Sequence, residues 1–323
     1  MRAIQVAHAG GPDALTETEI DRPTPGRGEI VIGVVSAGVN FIDTYQRGGL
    51  YPVEFPFTPG LECAGTVAEL GDGVTRWKVG DRVAVGAGAG SYAEFRTAPA
   101  DRCVAIPEGV SFDHAAASMI QALTANYLAV DTYPLAPGDR CLIHAAAGGT
   151  GRLLVQMAKA AGAEVFATVG SAAKAELAES AGADHVINYA EHDFVEQVQA
   201  ITGEQRPLDV VYDGVGAAVF EQSLGLLRAR GLMATFGNAS GPVEPVAPLD
   251  LMSGGSLFLT RPTLGDYIAT TEELDARAGA VFEMIASGNL EIRIDTSFPL
   301  AEAQAAHEHL EGRKSTGKLL LKP

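Results

Sequence analysis

The sequence predicts an α/β chain of two units, one β-rich and the other built on a doubly wound parallel sheet. Three observations predict it. From Arg140 onward, short apolar runs alternate with segments of helical spacing, which is the rhythm of βαβ units. Up to about residue 120 the runs are β-branched and punctuated by glycine, with little helical spacing. The length, 323 residues, suits two ordinary domains better than one.

Each element follows in order. In the first third "EIVIGVVSAG" and "GDRVAV" read as strands, and "ELGDGVTRWKVGDRV" carries turn signals between short strands. "GAGAG", Gly86 to Gly90, reads as a mobile loop. "SFDHAAASMIQALTANYLAV" has helical spacing, with Ser111 as its N-cap. Next come the strands "CLIHA", "EVFATV", "HVINY", "LDVVYD" and "LMATFG". Between them lie the helices "RLLVQMAKAAG", "AAKAELAESAG", "DFVEQVQAITG" and "FEQSLGLLRARG", with Gly162, Gly182, Gly203 and Gly231 expected as C′ residues. Short, continuously apolar strands require helices on both faces of the sheet. Past Arg261 stand a helix "TEELDARAGAVFEMIASG", a last helix "LAEAQAAHEHLEG" and a closing strand "LLL". "HEH", His307 to His309, reads as a charged surface face of that last helix rather than a metal site.

Composition narrows the function. A formal net charge of −17 repels phosphate backbones and weighs against nucleic acid as a partner. The start "MRAIQVAHAGG" lacks the apolar core of a signal peptide, and no run reaches membrane-spanning length. Three scattered cysteines, Cys63, Cys103 and Cys141, suit neither a disulfide framework nor a cysteine-built metal site. A cytoplasmic protein is expected.

"HAAAGGTG", His144 to Gly151, follows the first strand of the alternating region and opens its first helix. Residues without bulk there let a pyrophosphate reach helix N-terminal N–H groups. The spacing is Ala145-x-x-Gly148-x-x-Gly151, a variant of the dinucleotide fingerprint, strengthened by the βα units that follow. Arg152 could face the pyrophosphate, or be solvated or salt-bridged. The second strand does not end in the acid that grips a ribose 2′-hydroxyl; Gly170 and Ser171 stand there, and Lys174 lies one turn on. A carboxylate would repel a 2′-phosphate, whereas this turn accepts one, so NADPH is favoured over NADH. The alternative for Lys174 is an exposed helix residue, and for Tyr189 an aromatic capping the sheet. Arg313, in "GRKSTGK", could reach the same phosphate or belong to a solvated turn.

Taken together, "NFIDTYQRGGLYP", "PGLECAGTVAELGDGV", "GDRV", "HAAAGGTG", "GADHVINY" and "RPTL" resemble the medium-chain dehydrogenase/reductase superfamily. Within it they are most similar to the NADPH:quinone oxidoreductases related to ζ-crystallin. The resemblance implies a GroES-like catalytic domain over 1–122, completed by 262–323, a Rossmann NADPH-binding domain over 123–261, and an active site in the cleft. It implies a homodimer joined through the Rossmann sheet edge at "GSLFLT". From "NFIDTY" it places Asn40 and Tyr45 beside the nicotinamide as catalytic residues, with Phe41, Asp43 and Thr44 around the cofactor. Thr124 and Tyr127 would meet the ribose and phosphate end, and Gly148, Gly149, Thr150 and Gly151 the pyrophosphate. Gly170, Ser171, Lys174, Tyr189 and Arg313 would surround the 2′-phosphate. Val215, Phe236, Gly237, Asn238, Ala239, Ser240, Pro262, Thr263 and Leu264 would line the nicotinamide pocket. Thr150, where relatives commonly have valine, and Arg152 depart from the family pattern.

Zinc enzymes of that superfamily draw ligands from a Cys, a Gly-His-Glu and a second Cys. Here Asn40 takes the first position, Leu61 stands where the histidine would be, and the four-cysteine lobe is absent. Leucine cannot ligate zinc. Hydride added to a simple ketone leaves a strongly basic alkoxide that needs a Lewis acid or a proton. Added to a quinone it leaves a phenolate-like anion, whose conjugate acid has a pKa of about 10. Hydrogen bonds from Asn40 or Tyr45 could meet that smaller demand. The expectation is a zinc-independent, flavin-free NADPH-dependent quinone reductase. An alkenal or enone double-bond reductase is the nearer rival, and a non-catalytic NADPH-binding structural or RNA-binding protein the more distant one.

Overall fold

A computed structural model describes residues 1–312 and 315–323. The described strands are β1 (Arg2–Val6), β2 (Leu15–Glu19), β3 (Glu29–Val39), β4 (Glu62–Leu70), β5 (Arg82–Val85), β6 (Phe95–Pro99), β7 (Cys103–Ala105), β8 (Arg140–Ile143), β9 (Glu164–Val169), β10 (His185–Asn188), β11 (Leu208–Asp213), β12 (Leu227–Thr235), β13 (Phe258–Thr260), β14 (Ile294–Pro299) and β15 (Lys318–Lys322). The chain divides into two compact units, Met1–Leu123 with Tyr267–Pro323, and Thr124–Asp266.

The first unit is a seven-stranded sheet in the order β14-β15-β3-β4-β5-β7, with β6 also paired to β3, beside a two-stranded β1-β2 sheet. Strand β3 organises it. Its first half pairs with β6 and its last residues pair with β15, while β4 runs along the other edge. Register shifts between β3 and β4 at Val31/Ile32 and Val34/Ser36 bend the strand, as bulges do. Ile30, Ile32, Val67, Val83, Val85, Leu319 and Leu321 fill the core. Each such side chain, taken out of water, stabilises by about 1.5–3 kcal/mol. The expected capping by Ser111 holds: its side chain accepts the His114 N–H at 3.1 Å at the start of the helix Phe112–Ser118.

The second unit is a six-stranded sheet, β10-β9-β8-β11-β12-β13, paired in parallel throughout. Cys141, Leu142 and Ile143, then Val165, Phe166 and Ala167, then Val210, Val211 and Tyr212, are buried as unbroken runs, because helices cover both faces. Strand order reverses between β8 and β11, and ligands of such sheets bind beyond the carboxyl ends at that point. Gly162, Gly182 and Gly203 take the left-handed conformation expected of C′ residues.

Gly231 departs from expectation. The helix Phe220–Leu226 ends early, because Leu226 and Leu227 are both drawn into the core and Leu227 already pairs with Leu208. Pairing resumes at Val210 and Leu232, so the intervening residues bulge out and Arg230, not Gly231, adopts positive φ. The last helix also differs from expectation. Ala303–Glu311 carries His307 fully buried, not on a surface face.

Candidate functional site

The corner after β8 is built from backbone. His144 N–H donates to the Tyr212 carbonyl, Ala146 N–H to Thr168, and Gly148 N–H to Ala145. Ala145 turns the chain at φ 51°, and the helix Gly149–Ala160 begins at once. Its N-cap is Gly148, which has no side chain, and the first helical bond runs from Arg152 N–H to the Gly148 carbonyl. The N–H groups of Gly149, Thr150 and Gly151 therefore stand ahead of the helical ladder. A Cβ on Gly151 would lie 2.4 Å from the Ala145 carbonyl oxygen, so only glycine lets helix and turn approach this closely. The cradle fits a pyrophosphate, which needs bare amides and a positive dipole end.

His144 does not face a ligand. Its Nδ1 and Nε2 lie 2.8 Å from Thr168 Oγ1 and Ser223 Oγ, and Ser223 spends its own proton on the Val219 carbonyl. Nε2 must therefore donate and Nδ1 accept. Burial pulls the imidazole down to about 3, so it stays neutral. Arg152 is buried in the helix rather than solvated.

At the end of β9, Tyr189 lies over the turn: a Cβ on Gly170 would be 2.5 Å from the Tyr189 hydroxyl. The tyrosine is half-exposed, and its N–H donates to the Val169 carbonyl. Ser171 caps the helix Ala172–Ser180, accepting the Lys174 N–H. Gly170, Ser171, Lys174 and Tyr189 are thus brought together; Arg313 lies outside the described residues.

The loops after β11 and β12 interlock. Buried Asp213 accepts N–H groups of Val215 and Gly216 at 2.7 and 2.9 Å, and its carbonyl accepts from Phe236 N–H. Ser240 donates both its N–H and its hydroxyl to the Val215 carbonyl at 2.8 Å. A Cβ on Gly237 would sit 2.3 Å from the Gly214 carbonyl oxygen, so the two loops touch backbone to backbone. Arg261 donates to the Gly237 carbonyl and to Thr235. The Asn238 amide, oriented so that its nitrogen donates to Gly237, accepts from Arg261 as well. Ala239 stands within this loop, and Pro262, Thr263 and Leu264 continue from Arg261 within the same unit. Thr124 is half-buried; Tyr127, three residues on in that helix, is fully buried.

In the first unit Asn40 caps the helix Phe41–Arg47. Its N–H donates to Asp43 Oδ2 at 2.8 Å, and Thr44 Oγ1 donates to the Phe41 carbonyl. The Asn40 amide is engaged by residues that sequence reasoning missed: Nδ2 donates to Glu62 Oε1 at 2.7 Å, and Oδ1 accepts from Lys318 Nζ at 2.6 Å. Tyr45 is half-buried, its ring 5.4 Å from that of Tyr51 and 6.4 Å from that of Phe41. Asp43 is buried, with Oδ1 unpartnered, and burial pushes its carboxyl up to about 7 against the pull of the Asn40 backbone N–H.

A proton-ordered chain runs on from Asp43. Arginine only donates, so Arg47 Nη1 gives to His307 Nδ1 at 2.8 Å; His307 Nε2–H gives to Tyr92, and the Tyr92 hydroxyl to Asp43 Oδ2. Burial, reinforced by Arg47, holds His307 at about 3. The buried Arg47 is balanced by Glu311. Among the described residues no group of three or more His, Cys, Asp or Glu is placed to hold a metal, and no helix is long and apolar enough to cross a membrane.

Comparison with known proteins identifies the family. Residues 26–108 match the alcohol dehydrogenase GroES-like domain, and residues 149–280 match the zinc-binding dehydrogenase family. These matches and the doubly wound sheet define the class, a medium-chain dehydrogenase/reductase. Quinone oxidoreductase 1 of Escherichia coli (strain K12) is 45% identical over 99% of both chains, and a 2-haloacrylate reductase of Burkholderia sp is 40% identical over 99% of this chain and 98% of that one. The crystal structure of Escherichia coli quinone oxidoreductase complexed with NADPH superposes with a TM-score of 0.97, at 43% identity and full coverage of both chains. Within its class the chain belongs to the quinone oxidoreductase family.

Proposed function

We propose that this chain is an NADPH-dependent quinone reductase that works without zinc or flavin. The corner after β8 carries the reading: side-chain-free residues bare three helix amides, in a chain 43% identical to a protein solved with NADPH. When bound, NADPH supplies a hydride from its nicotinamide ring. Gly149, Thr150 and Gly151 hold the pyrophosphate on their N–H groups, with Gly148 as the open cap. Gly170, Ser171, Lys174 and Tyr189 receive the 2′-phosphate, and Arg313 is assigned with them. Thr124 and Tyr127 belong to the ribose end. Val215, Phe236 to Ser240, and Pro262 to Leu264 shape the nicotinamide end, held by Asp213 and Arg261. The Asn40 amide and Tyr45 hydroxyl supply hydrogen bonds to the oxygen that gains charge, with Phe41, Asp43 and Thr44 fixing their helix.

Zinc independence rests on chemistry. Leu61 offers no ligand, and a cation at Asn40 would meet the Lys318 ammonium, 2.6 Å from the amide oxygen. A homodimer and a reducing compartment belong to the same proposal. Strand β13 ends the second unit's sheet with Phe258 60% exposed, and Leu249 and Met252 nearby are 67% and 63% exposed. A second copy pairing along β13 would cover that edge. All three cysteines are buried free thiols, which suits a cytoplasmic setting.

Steady-state NADPH oxidation with 1,4-benzoquinone against 2-alkenals tests the reading, and faster turnover of the quinone is expected. The 2-haloacrylate reductase relative favours a second reading, reduction of an activated double bond. Faster turnover of the alkenal would select it. NADPH binding without oxidation by any conjugated acceptor would instead indicate a non-catalytic binding protein.

A further inference from the structure

Asn40, Glu62 and Lys318 are 4%, 0% and 2% exposed; Glu62 and Lys318 open β4 and β15, and Asn40 directly follows β3, the strand that pairs with both. Leu319 pairs with Val39, so Lys318 falls beside Asn40; Gly38 pairs with Glu62. A Cβ on Gly38 would lie 2.2 Å from Glu62 Oε1. Its absence lets the carboxylate fold across that position and reach the asparagine. Lys318 Nζ pairs closely with Glu62 Oε1 and donates to Asn40 Oδ1. Gln121 Nε2 approaches the same oxygen at 3.4 Å. The second carboxylate oxygen, Glu62 Oε2, accepts the Ile120 N–H at 2.6 Å.

An asparagine amide can ordinarily present either end. Here an ammonium, which only donates, faces Oδ1, and a carboxylate, which only accepts, faces Nδ2. Rotating the amide would set oxygen against carboxylate and N–H against ammonium, two repulsive contacts in a buried place. Among the described residues, one N–H of Nδ2 has no partner.

We infer that Lys318 and Glu62 form a polarity lock that leaves Asn40 only a donor to offer, so that the group it meets is an acceptor oxygen gaining negative charge. This deepens the quinone-reductase reading and rests on it. Lys318 acts through Asn40 and is a positioning residue. Its charge polarises the amide toward stronger donation, and it offsets the Glu62 charge that would oppose an oxyanion. A carbonyl oxygen turning into a phenolate or enolate fits this site; a hydroxyl or ammonium group offered as donor does not.

A double-mutant cycle tests the lock. Lys318→Gln should lower kcat with 1,4-benzoquinone about tenfold or more, while the calorimetric Kd for NADPH changes less than about twofold. In an Asn40→Ala background the same substitution should change kcat less than about twofold. Equal losses in both backgrounds would mean that Lys318 does not work through Asn40. Because Lys318→Gln strands a buried carboxylate, the neutral pair Lys318→Gln with Glu62→Gln provides a variant with no unpaired charge. In that pair the Asn40 side-chain amide resonances, identified by their loss in Asn40→Ala, should shift in substrate-free protein. Unmoved resonances would overturn the lock. Shifted resonances in a protein inactive toward quinones and alkenals alike would uphold the lock and remove the reductase reading alone.

Discussion

Gly151 and Gly170 are glycines for different reasons, and each makes a separate prediction. Gly151 yields to the Ala145 carbonyl, inside the fold. Gly151→Ala should lower stability by about 1–3 kcal/mol and weaken both nicotinamide nucleotides together, read by denaturant melts and calorimetry. Gly170 yields to the Tyr189 hydroxyl, at the turn proposed to meet the 2′-phosphate by which the two cofactors differ. Beside it, Lys174→Ala should weaken NADPH about tenfold or more and leave NADH nearly untouched. Equal loss for both nucleotides would contradict the 2′-phosphate assignment. Asp43 supplies a pH signature. Its folded-state pKa, about 7, lies above the usual carboxylate value of 3.8, so the protonated form is favoured in the native state. Its contribution is fully present below about pH 4 and is lost as pH rises through 7. The stability of the wild type relative to Asp43→Asn should fall across that window, by on the order of 4 kcal/mol at most, and be flat above it. A difference that does not vary with pH would contradict this.

Among elements, those whose determinants lie close together in sequence were legible, and those assembled from distant strands were not. The β8 corner is one turn, so small residues at Ala145, Gly148 and Gly151 declared it directly. The Asn40 network joins residues from β4, β15 and the end of β3, and no local pattern links "GLE" to "TGK" across the chain. "HEH" misled because the charged pattern of one helix says nothing of Arg47 and Tyr92, which bury and satisfy His307. "FEQSLGLLRARG" misled for a related reason: apolar residues at helical spacing were claimed by the sheet, where Leu226 and Leu227 are buried. Strand β13 carries a prediction at this scale. Phe258→Lys places a charge on the exposed edge and should yield monomers by light scattering, with the melting temperature lowered if the pairing also stabilises the unit.

For the molecule as a whole, two buried neutral histidines add to its acid sensitivity. His144 and His307, one in each unit, are both held at about 3, below the usual 6.5. A depressed histidine contributes stability above its unfolded pKa and loses it as pH falls toward the folded one. Acid unfolding should therefore steepen below about pH 6, and replacing His144 with Gln should flatten it. Dialysis against a chelator should leave turnover unchanged if Asn40 and Lys318 replace metal chemistry with hydrogen bonds. The net charge of −17 makes anion capture the demanding step, since a dianionic linkage must be held in a negatively charged protein. Calorimetric titration with NADPH and NADH at low salt measures that step directly. Micromolar binding of NADPH, about tenfold or more tighter than NADH, is predicted. No heat of binding with either nucleotide would contradict the account.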